Sequence, residues 1–400
     1  MKERNEPERL CRVLAVHNYY QTAGGEDTVF RNECRLLREH GHEVETYERD
    51  NEEIRNSVIR KVLLPFTAVF SLKTYREVRR IIRSEGIDVV HCHNTFPLVS
   101  PSVYYAARSC GVPVVQTVHN FRFLCPNSVF FRDGKPCEDC LEKGLGCSLR
   151  HGCYRGSRLQ TFVLAQMLAI HRALGTYRRI RYIFLTEFNR SKFRKLLGEE
   201  TERQFIKPNF EYADPRGAEA PAERDGSFVF AGRLDRVKGV DFLAETWGSE
   251  GELYLFGNGE LEAEVRQACA RNPHIHFMGF RPKEEIGEYL RKARALLFTS
   301  DLYEGFPMTI AEAFAAGTPV VCPDSGNAAD IVRGAGAGAT YRRRDAGSFR
   351  KALDEVREGF DGYSAKALEA YNAALTPEAN YRQLAEIYQT LIRERRQKAR

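Results

Sequence analysis

Ala295-Leu-Leu-Phe-Thr-Ser-Asp-Leu-Tyr-Glu304-Gly-Phe-Pro-Met-Thr-Ile-Ala-Glu312-Ala-Phe-Ala-Ala-Gly-Thr-Pro319-Val-Val-Cys322 reads as a strand, a loop, a helix and a second strand. The apolar ends, 295–298 and 319–322, are short runs that suit strands buried on both faces. Pro307 stands where a helix starts, since the first helical residue needs no N–H donor. Parallel strands joined by a crossover helix form a βαβ unit. Ligands of such sheets lie outside the carboxyl ends of the strands. The loop before Pro307 is such an end, backed by free first-turn N–H groups and the positive end of the helix dipole. That is an anion site suited to a diphosphate. Glu304 lies in the loop and Glu312 within the helix, so they serve different parts of one ligand. A carboxylate at the phosphate end can hold a sugar, and one further along can hold ribose hydroxyls.

Outward from this unit the alternation continues. Strands are expected at 227–231, 253–256 and 275–278, with helices at 241–247, 260–270 and 283–292. The first half repeats it, with strands at 12–17, 43–47, 88–91 and 112–119 and helices at 28–40, 75–84 and 103–109. The fold class is therefore α/β, two doubly wound Rossmann-like domains in tandem with the active site in the cleft between them. The stretch from Asp214 to Gly226 is rich in Pro, Ala, Gly and charge and reads as a linker. The expected boundaries are 1–210 for the first domain, 211–226 for the linker and 227–376 for the second. A C-terminal helix over 377–400, with Leu384, Ile387, Tyr388 and Leu391 on one face, can cross back to the first domain.

Four hundred residues exceed one ordinary core, and 43% hydrophobic with 28% charged residues is a normal globular mixture. No apolar run approaches the ~18 residues of a membrane span. The charged N-terminus carries no apolar signal region, which points to a cytoplasmic protein. In that reducing setting the 11 cysteines are not a disulfide framework. Net charge is +6, yet residues 151–210 alone carry twelve Lys/Arg against four Asp/Glu. With the apolar stretch 162–170 inside it, this segment suggests peripheral attachment to the inner face of an anionic membrane.

Further constellations carry chemistry. In Phe230-Ala-Gly-Arg233-Leu-Asp-Arg-Val-Lys238, an arginine able to fork a phosphate and a lysine point charge follow a strand. Thr22-Ala-Gly24-Gly25 follows the first strand, and paired glycines let backbone approach a ligand closely. His119 ends a strand in Gln116-Thr-Val-His119, and His91 and His93 follow another on the acceptor side. Cys125, Cys137, Cys140, Cys147 and Cys153 include a Cys-x2-Cys in a Gly-rich loop, a spacing that suits structural zinc. No recognition helix follows directly, so a nucleic-acid module is not expected. No Asp-x-Asp occurs, so catalysis should need no metal cofactor: fixed cations and a helix terminus would stabilise a departing diphosphate.

Glu304-x7-Glu312, with Gly-Phe-Pro before it and Glu-Ala-Phe-Ala-Ala-Gly-Thr-Pro-Val-Val at its end, resembles the signature of retaining GT-B glycosyltransferases of family 4. Arg233 and Lys238 resemble that family's diphosphate clamp, and Gly24-Gly25 its donor-phosphate loop. The resemblance implies that Glu304 and His119 act at the donor sugar. Gly24, Gly25, Arg233, Lys238, Gly305, Phe306, Pro307, Met308 and Thr309 would bind diphosphate and sugar. Glu312 would bind the ribose, and the base would lie near Phe280 and Arg281. A subset of the family shares the cysteine loop, which implies Cys125, Cys137, Cys140 and Cys153 as zinc ligands with Cys147 spare. Asp330 departs from the glutamate usual before Ile-Val. The implied activity is hexosyl transfer from a nucleotide diphosphate sugar to a hydroxyl acceptor, lipid-linked in many relatives, for cell-surface polysaccharide or glycolipid synthesis. The competing readings are a GT-B nucleotide-sugar epimerase and a non-catalytic two-lobed sugar-nucleotide-binding protein.

Overall fold

Val13, Leu14, Ala15 and Val16 are all buried, as a central parallel strand requires, and they fix β1 (Arg12–Tyr19) in the middle of a sheet. The computed structural model describes residues 10–21, 24–212 and 224–399. The chain divides into two units. The first holds the residues up to Ser128, Glu138–Lys207 and Asn380 onward; the second holds Val129–Cys137 and Pro208–Ala379.

In the first unit, β1 is joined by α1 (Gly25–Glu39) to β2 (Glu43–Asp50). After the short surface helix α2 (Val58–Thr67) come β3 (Val89–Cys92) and β4 (Val114–Val118). Helix α3 (Arg158–Ala173) then leads to β5 (Arg181–Phe184) and β6 (Phe205–Ile206). The sheet order is β2-β1-β3-β4-β5-β6, all parallel. Strand β5 is four residues with an arginine at its head and β6 is two, too short to announce themselves by periodicity. The stretch 162–170 is mainly core: Val163, Leu164, Ala165, Met167 and Leu168 are buried, whereas Phe162 is exposed. Part of the cationic surplus around it is paired. Arg181 meets Glu394, Arg190 and Arg194 meet Glu202, Lys192 meets Glu138 and Arg203 meets Glu200.

The second unit repeats the architecture with β7 (Phe228–Ala231), β8 (Leu253–Phe256), β9 (Ile275–Gly279), β10 (Ala295–Leu297), β11 (Val320–Pro323) and β12 (Gly338–Tyr341). Their order is β9-β8-β7-β10-β11-β12, again parallel, and α4 (Met308–Ala315) connects β10 to β11. Phe228, Phe230, Leu253, Leu255, Leu297 and Val321 share one core with Trp247 and Phe349.

Most of the expected linker, residues 213–223, lies outside the described residues. Its two ends are anchored instead of loose. Glu211 is buried and its N–H donates to the Leu375 carbonyl. The Arg224 guanidinium donates to the carbonyls of Leu290, Ala293, Ala316 and Gly317. The last helix, α5 (Pro377–Ala399), returns to the first unit. Leu384, Ile387, Tyr388, Leu391 and Ile392 pack there with Cys11, Val13, Leu37, Val89, Val115 and Ile183.

Candidate active site

In the second unit the sequence-read residues gather at the carboxyl ends of β7 and β10. Lys238 Nζ lies 2.5 Å from Glu304 Oε1, a half-buried ion pair between the loops that follow these strands. The Lys238 backbone is held from both sides. Its N–H donates to Asp235 Oδ1 (3.0 Å), and its carbonyl accepts from Thr299 Oγ1 (2.8 Å). Gly239 has φ +74°, and a Cβ there would come within 2.3 Å of the Thr299 carbonyl oxygen, so only glycine lets these loops touch. Arg233 is largely exposed and rests on Asp235 at 2.9 Å. A feature the sequence reading passed over supports it. The Leu234 N–H donates to the Asn258 carbonyl, and a Cβ on Gly257 or Gly259 would strike the Gly232 or Leu234 carbonyl oxygen. Two glycines one residue apart, directly after a strand, were the available signal.

Pro307 caps α4 and does not begin it, so Met308 and Thr309 head the helix, and their N–H groups have no intrahelical acceptor. Phe306 and Pro307 are buried, while Gly305 is partly exposed. The Glu304 carbonyl accepts from Asn327 Nδ2, which fixes the loop. Asn327 opens a further helix, Asn327–Ala335, in which the Asp330 N–H donates to the Gly326 carbonyl. Within α4, burial pushes the Glu312 carboxyl up to about 7, Glu211 raises it further, and Lys283, itself paired with Glu211, opposes this. Phe280 follows β9, is 74% exposed and offers an open aromatic face; Arg281 reaches back to Glu285 at 3.4 Å.

In the first unit Gly24 precedes α1, whose Asp27 accepts from the Gly24 N–H (3.0 Å) and meets His17 Nε2 (2.8 Å). Thr22 and Ala23 of this loop lie outside the described residues. A Cβ on Gly24 or Gly25 would meet open space, so both leave room beside them. Asp27 is thus committed to the protein. Glu26 Oε2 accepts from Asn120 Nδ2 at 3.2 Å. Burial pushes its carboxyl up to about 7 against the pull of Arg122.

His119 Nε2 lies 3.0 Å from His93 Nδ1. Burial, then His93, holds His119 well below the usual histidine range, so it works as a neutral imidazole. His91 and His93 do not line an open face: both are buried. His91 is bonded through Nδ1 to Tyr388 Oη (2.8 Å) and through Nε2 to Thr117 Oγ1 (2.7 Å). Glu33, His91 and His93 bring three ligand atoms within 4.8 Å of one another. Lys207 Nζ, 2.7 Å from Glu33, supplies the cation there instead.

No disulfide joins the cysteines among the described residues. The Cys140 thiol donates to the Cys125 sulfur, which lowers Cys125 below the usual thiol range, and Cys153 acts on Cys125 electrostatically. Among the described residues, Cys125, Cys137, Cys140 and Cys153 do not close into a set with all sulfurs within 4.8 Å.

Residues 225–358 match the family described as Glycosyl transferases group 1, and residues 23–137 match Glycosyltransferase Family 4. The chain carries domains of the glycosyltransferase group 1 and family 4 types. It is 22% identical to an uncharacterized glycosyltransferase of Methanocaldococcus jannaschii over 338 residues, 81% of this chain and 82% of the other. It is 30% identical to the lipopolysaccharide 1,6-galactosyltransferase of Escherichia coli K12 over 38% of this chain and 45% of that one. Among solved structures, Anabaena HepE in complex with UDP superposes with a TM-score of 0.62 at 16% identity, covering 95% of this glycosyltransferase and 100% of that chain. The lipopolysaccharide outer core galactosyltransferase WaaB gives 0.61 at 17% identity over 94% and 99%. The fold is GT-B.

Proposed function

We propose that this glycosyltransferase moves a hexosyl group, with retention, from a UDP-sugar to a hydroxyl acceptor in cell-surface polysaccharide or glycolipid synthesis. The Lys238–Glu304 pair at the head of α4 carries the reading: it sets a cation for phosphate beside a carboxylate for sugar. In this reading Arg233, Lys238 and the Met308 and Thr309 N–H groups stabilise the departing diphosphate, while Glu304 and His119 hold the donor sugar. Glu312 binds ribose, and Phe280 and Arg281 lie at the base. Donor and acceptor held together react as one molecule. The donor choice is supported by solved GT-B structures of HepE in complex with UDP and with UDP-glucose. The acceptor class is supported by the lipopolysaccharide galactosyltransferases among the relatives.

A thermal-shift panel of UDP-, GDP- and ADP-sugars tests the donor, because ligand bound only to folded protein raises apparent stability. UDP-sugars should give the largest shift; a response confined to GDP- or ADP-sugars would reject the base. Release of UDP that requires acceptor separates transfer from epimerisation. EDTA should leave transfer unchanged on a short timescale, and a rate lost and restored by Mg²⁺ would contradict stabilisation by fixed cations.

Two finer points belong to the same reading. Cys125, Cys137, Cys140 and Cys153, whose sulfurs do not form one closed set in the structure, would have to draw together to hold one structural zinc; elemental analysis of untagged protein checks this, with Cys137→Ser losing the metal and Cys147→Ser keeping it. The enzyme attaches to anionic membranes through α2. This helix has no buried side chain and carries Arg60 and Lys61 beside its exposed apolar residues. Among the described residues no helix is long and apolar enough to cross a membrane.

A further inference from the structure

The first unit buries more ionisable chemistry behind His119 than its fold requires. Glu33 of α1 and Lys207, just after β6, are both about fully buried and pair at 2.7 Å. Lys207 Nζ also donates to Asn380 Oδ1 at 2.8 Å. Burying two charges costs several kcal/mol of desolvation for each ion, and an apolar pair of the same volume would hold this core at least as well. The pair occupies Glu33 Oε1. The other oxygen, Oε2, is buried without a hydrogen-bond partner, and His93 Nε2 and His91 Nδ1 stand 3.4 Å and 3.7 Å from it. His91 Nδ1 is already taken by Tyr388, which leaves His93 Nε2 as the nearest nitrogen that can turn a proton toward this oxygen, as a buried carboxylate oxygen requires. Although burial opposes ionisation, Lys207 above all holds Glu33 well below the usual carboxylate range.

A neutral imidazole has one N–H and one lone pair, and the partner of one nitrogen decides the other. With its proton on Nε2 toward Glu33, His93 presents the Nδ1 lone pair to His119 Nε2 at 3.0 Å. His119 must then carry its own proton on Nε2 and leave Nδ1 as a lone pair. Among the described residues that Nδ1 makes no hydrogen bond within the protein, and it is not among the buried unpartnered atoms, so a ligand can reach it. The nearby groups leave this order intact. His17 is engaged by Asp27, while Thr117 and Tyr388 serve His91.

We propose that Glu33 and His93 are positioning residues that lock His119 in the Nε2–H tautomer, so that its Nδ1 presents a hydrogen-bond acceptor to a hydroxyl of the bound donor sugar. The inference rests on His119 contacting the donor, as in the proposed function, but the tautomer is measurable without that contact. Long-range ¹H–¹⁵N correlation of histidine-labelled protein, with His119 assigned by its absence in His119→Gln, should show a protonated Nε2 and a pyridine-type Nδ1. A proton on Nδ1 overturns the proposal. Because Glu33→Gln alone leaves Lys207 buried without its partner, the kinetic arm uses Glu33→Gln/Lys207→Met, with Glu33→Asp as the conservative variant. The double variant, folded by circular dichroism, should lose the single tautomer and about ten- to a hundredfold in kcat, the order of loss when a reacting group is misplaced. Donor KM should change by less than about twofold, and Glu33→Asp should restore most of the rate. Wild-type kcat in a folded double variant overturns the proposal. Full activity in His119→Gln would instead fault the contact assigned to His119, and the tautomer spectrum would still decide the lock.

Discussion

Lys238 and Glu304 neutralise each other at 2.5 Å, yet the proposed chemistry asks each to serve a different part of the donor. Removing either should leave the fold intact, because both lie in strand-end loops outside the core. Lys238→Ala and Glu304→Gln should each lower kcat by about a hundredfold or more, the order seen when one preorganised electrostatic partner is lost. The double variant should lose less than the product of the two. Initial rates at saturating donor decide this, and near-wild-type turnover in both single variants would remove the site. A pH effect belongs to the same scale. Glu26 and Glu312 are acids whose folded pKa, about 7 for each, lies above the ordinary carboxylate value. Their neutral forms favour the folded state, so this contribution is complete below about pH 4 and is lost as pH rises through 7. Glu312→Gln should flatten the fall in melting temperature between pH 5 and 8, read by calorimetry. An unchanged slope would contradict the burial argument. The strand-end places of Lys238 and Glu304 were legible in the alternation of strands and helices, whereas the roles proposed for them, and for Arg233 and Glu312, came from the family resemblance. Glu33 and Lys207 were not legible. One sits in a charged amphipathic helix and the other before a proline, and only the closed fold shows that both are buried.

In α2, Val58, Ile59, Val62 and Phe66 are each at least two-thirds exposed and follow an i, i+1, i+4, i+8 pattern, which forms one face. Apolar area of that extent in water is unfavourable unless something covers it. Val62→Glu/Phe66→Glu should abolish co-sedimentation with anionic liposomes, while neutral liposomes and high salt should weaken binding of the parent protein. Equal, negligible binding of the parent in every condition would discard the membrane. In α5, Leu391 is buried among Val89, Val115 and Ile183. Leu391→Ala should destabilise the protein by about 2–4 kcal/mol in urea unfolding. The strands next to the site were readable because β1, β3, β4 and β7 are runs of branched or aromatic residues. Strand β12, Gly-Ala-Thr-Tyr, was not. Its glycine and alanine give no apolar signature, and it is a strand because it pairs with β11.

For the molecule as a whole, the paired alternations of strand and helix made two doubly wound units readable from the sequence, since periodicity accumulates over many elements. The sequence did not say which residues complete each unit. The first is finished by α5, whose apolar face covers Cys11, Val13 and Leu37. Ending the chain at Ala379 should therefore expose that trough, seen as dye binding to apolar surface and loss of the cooperative transition belonging to the first unit. A truncated protein with unchanged melting would contradict the packing. The same arrangement bears on how the protein is made. A ribosome releases the first unit's sheet early, but its closing helix emerges only after some 170 further residues, those between Lys207 and Asn380. At about 5–20 residues per second that is a wait on the order of 10–30 s. Throughout it the nascent sheet keeps an open apolar face, so the later half is free to fold before the earlier one, and the growing chain is a natural client for whatever shields such surfaces during synthesis.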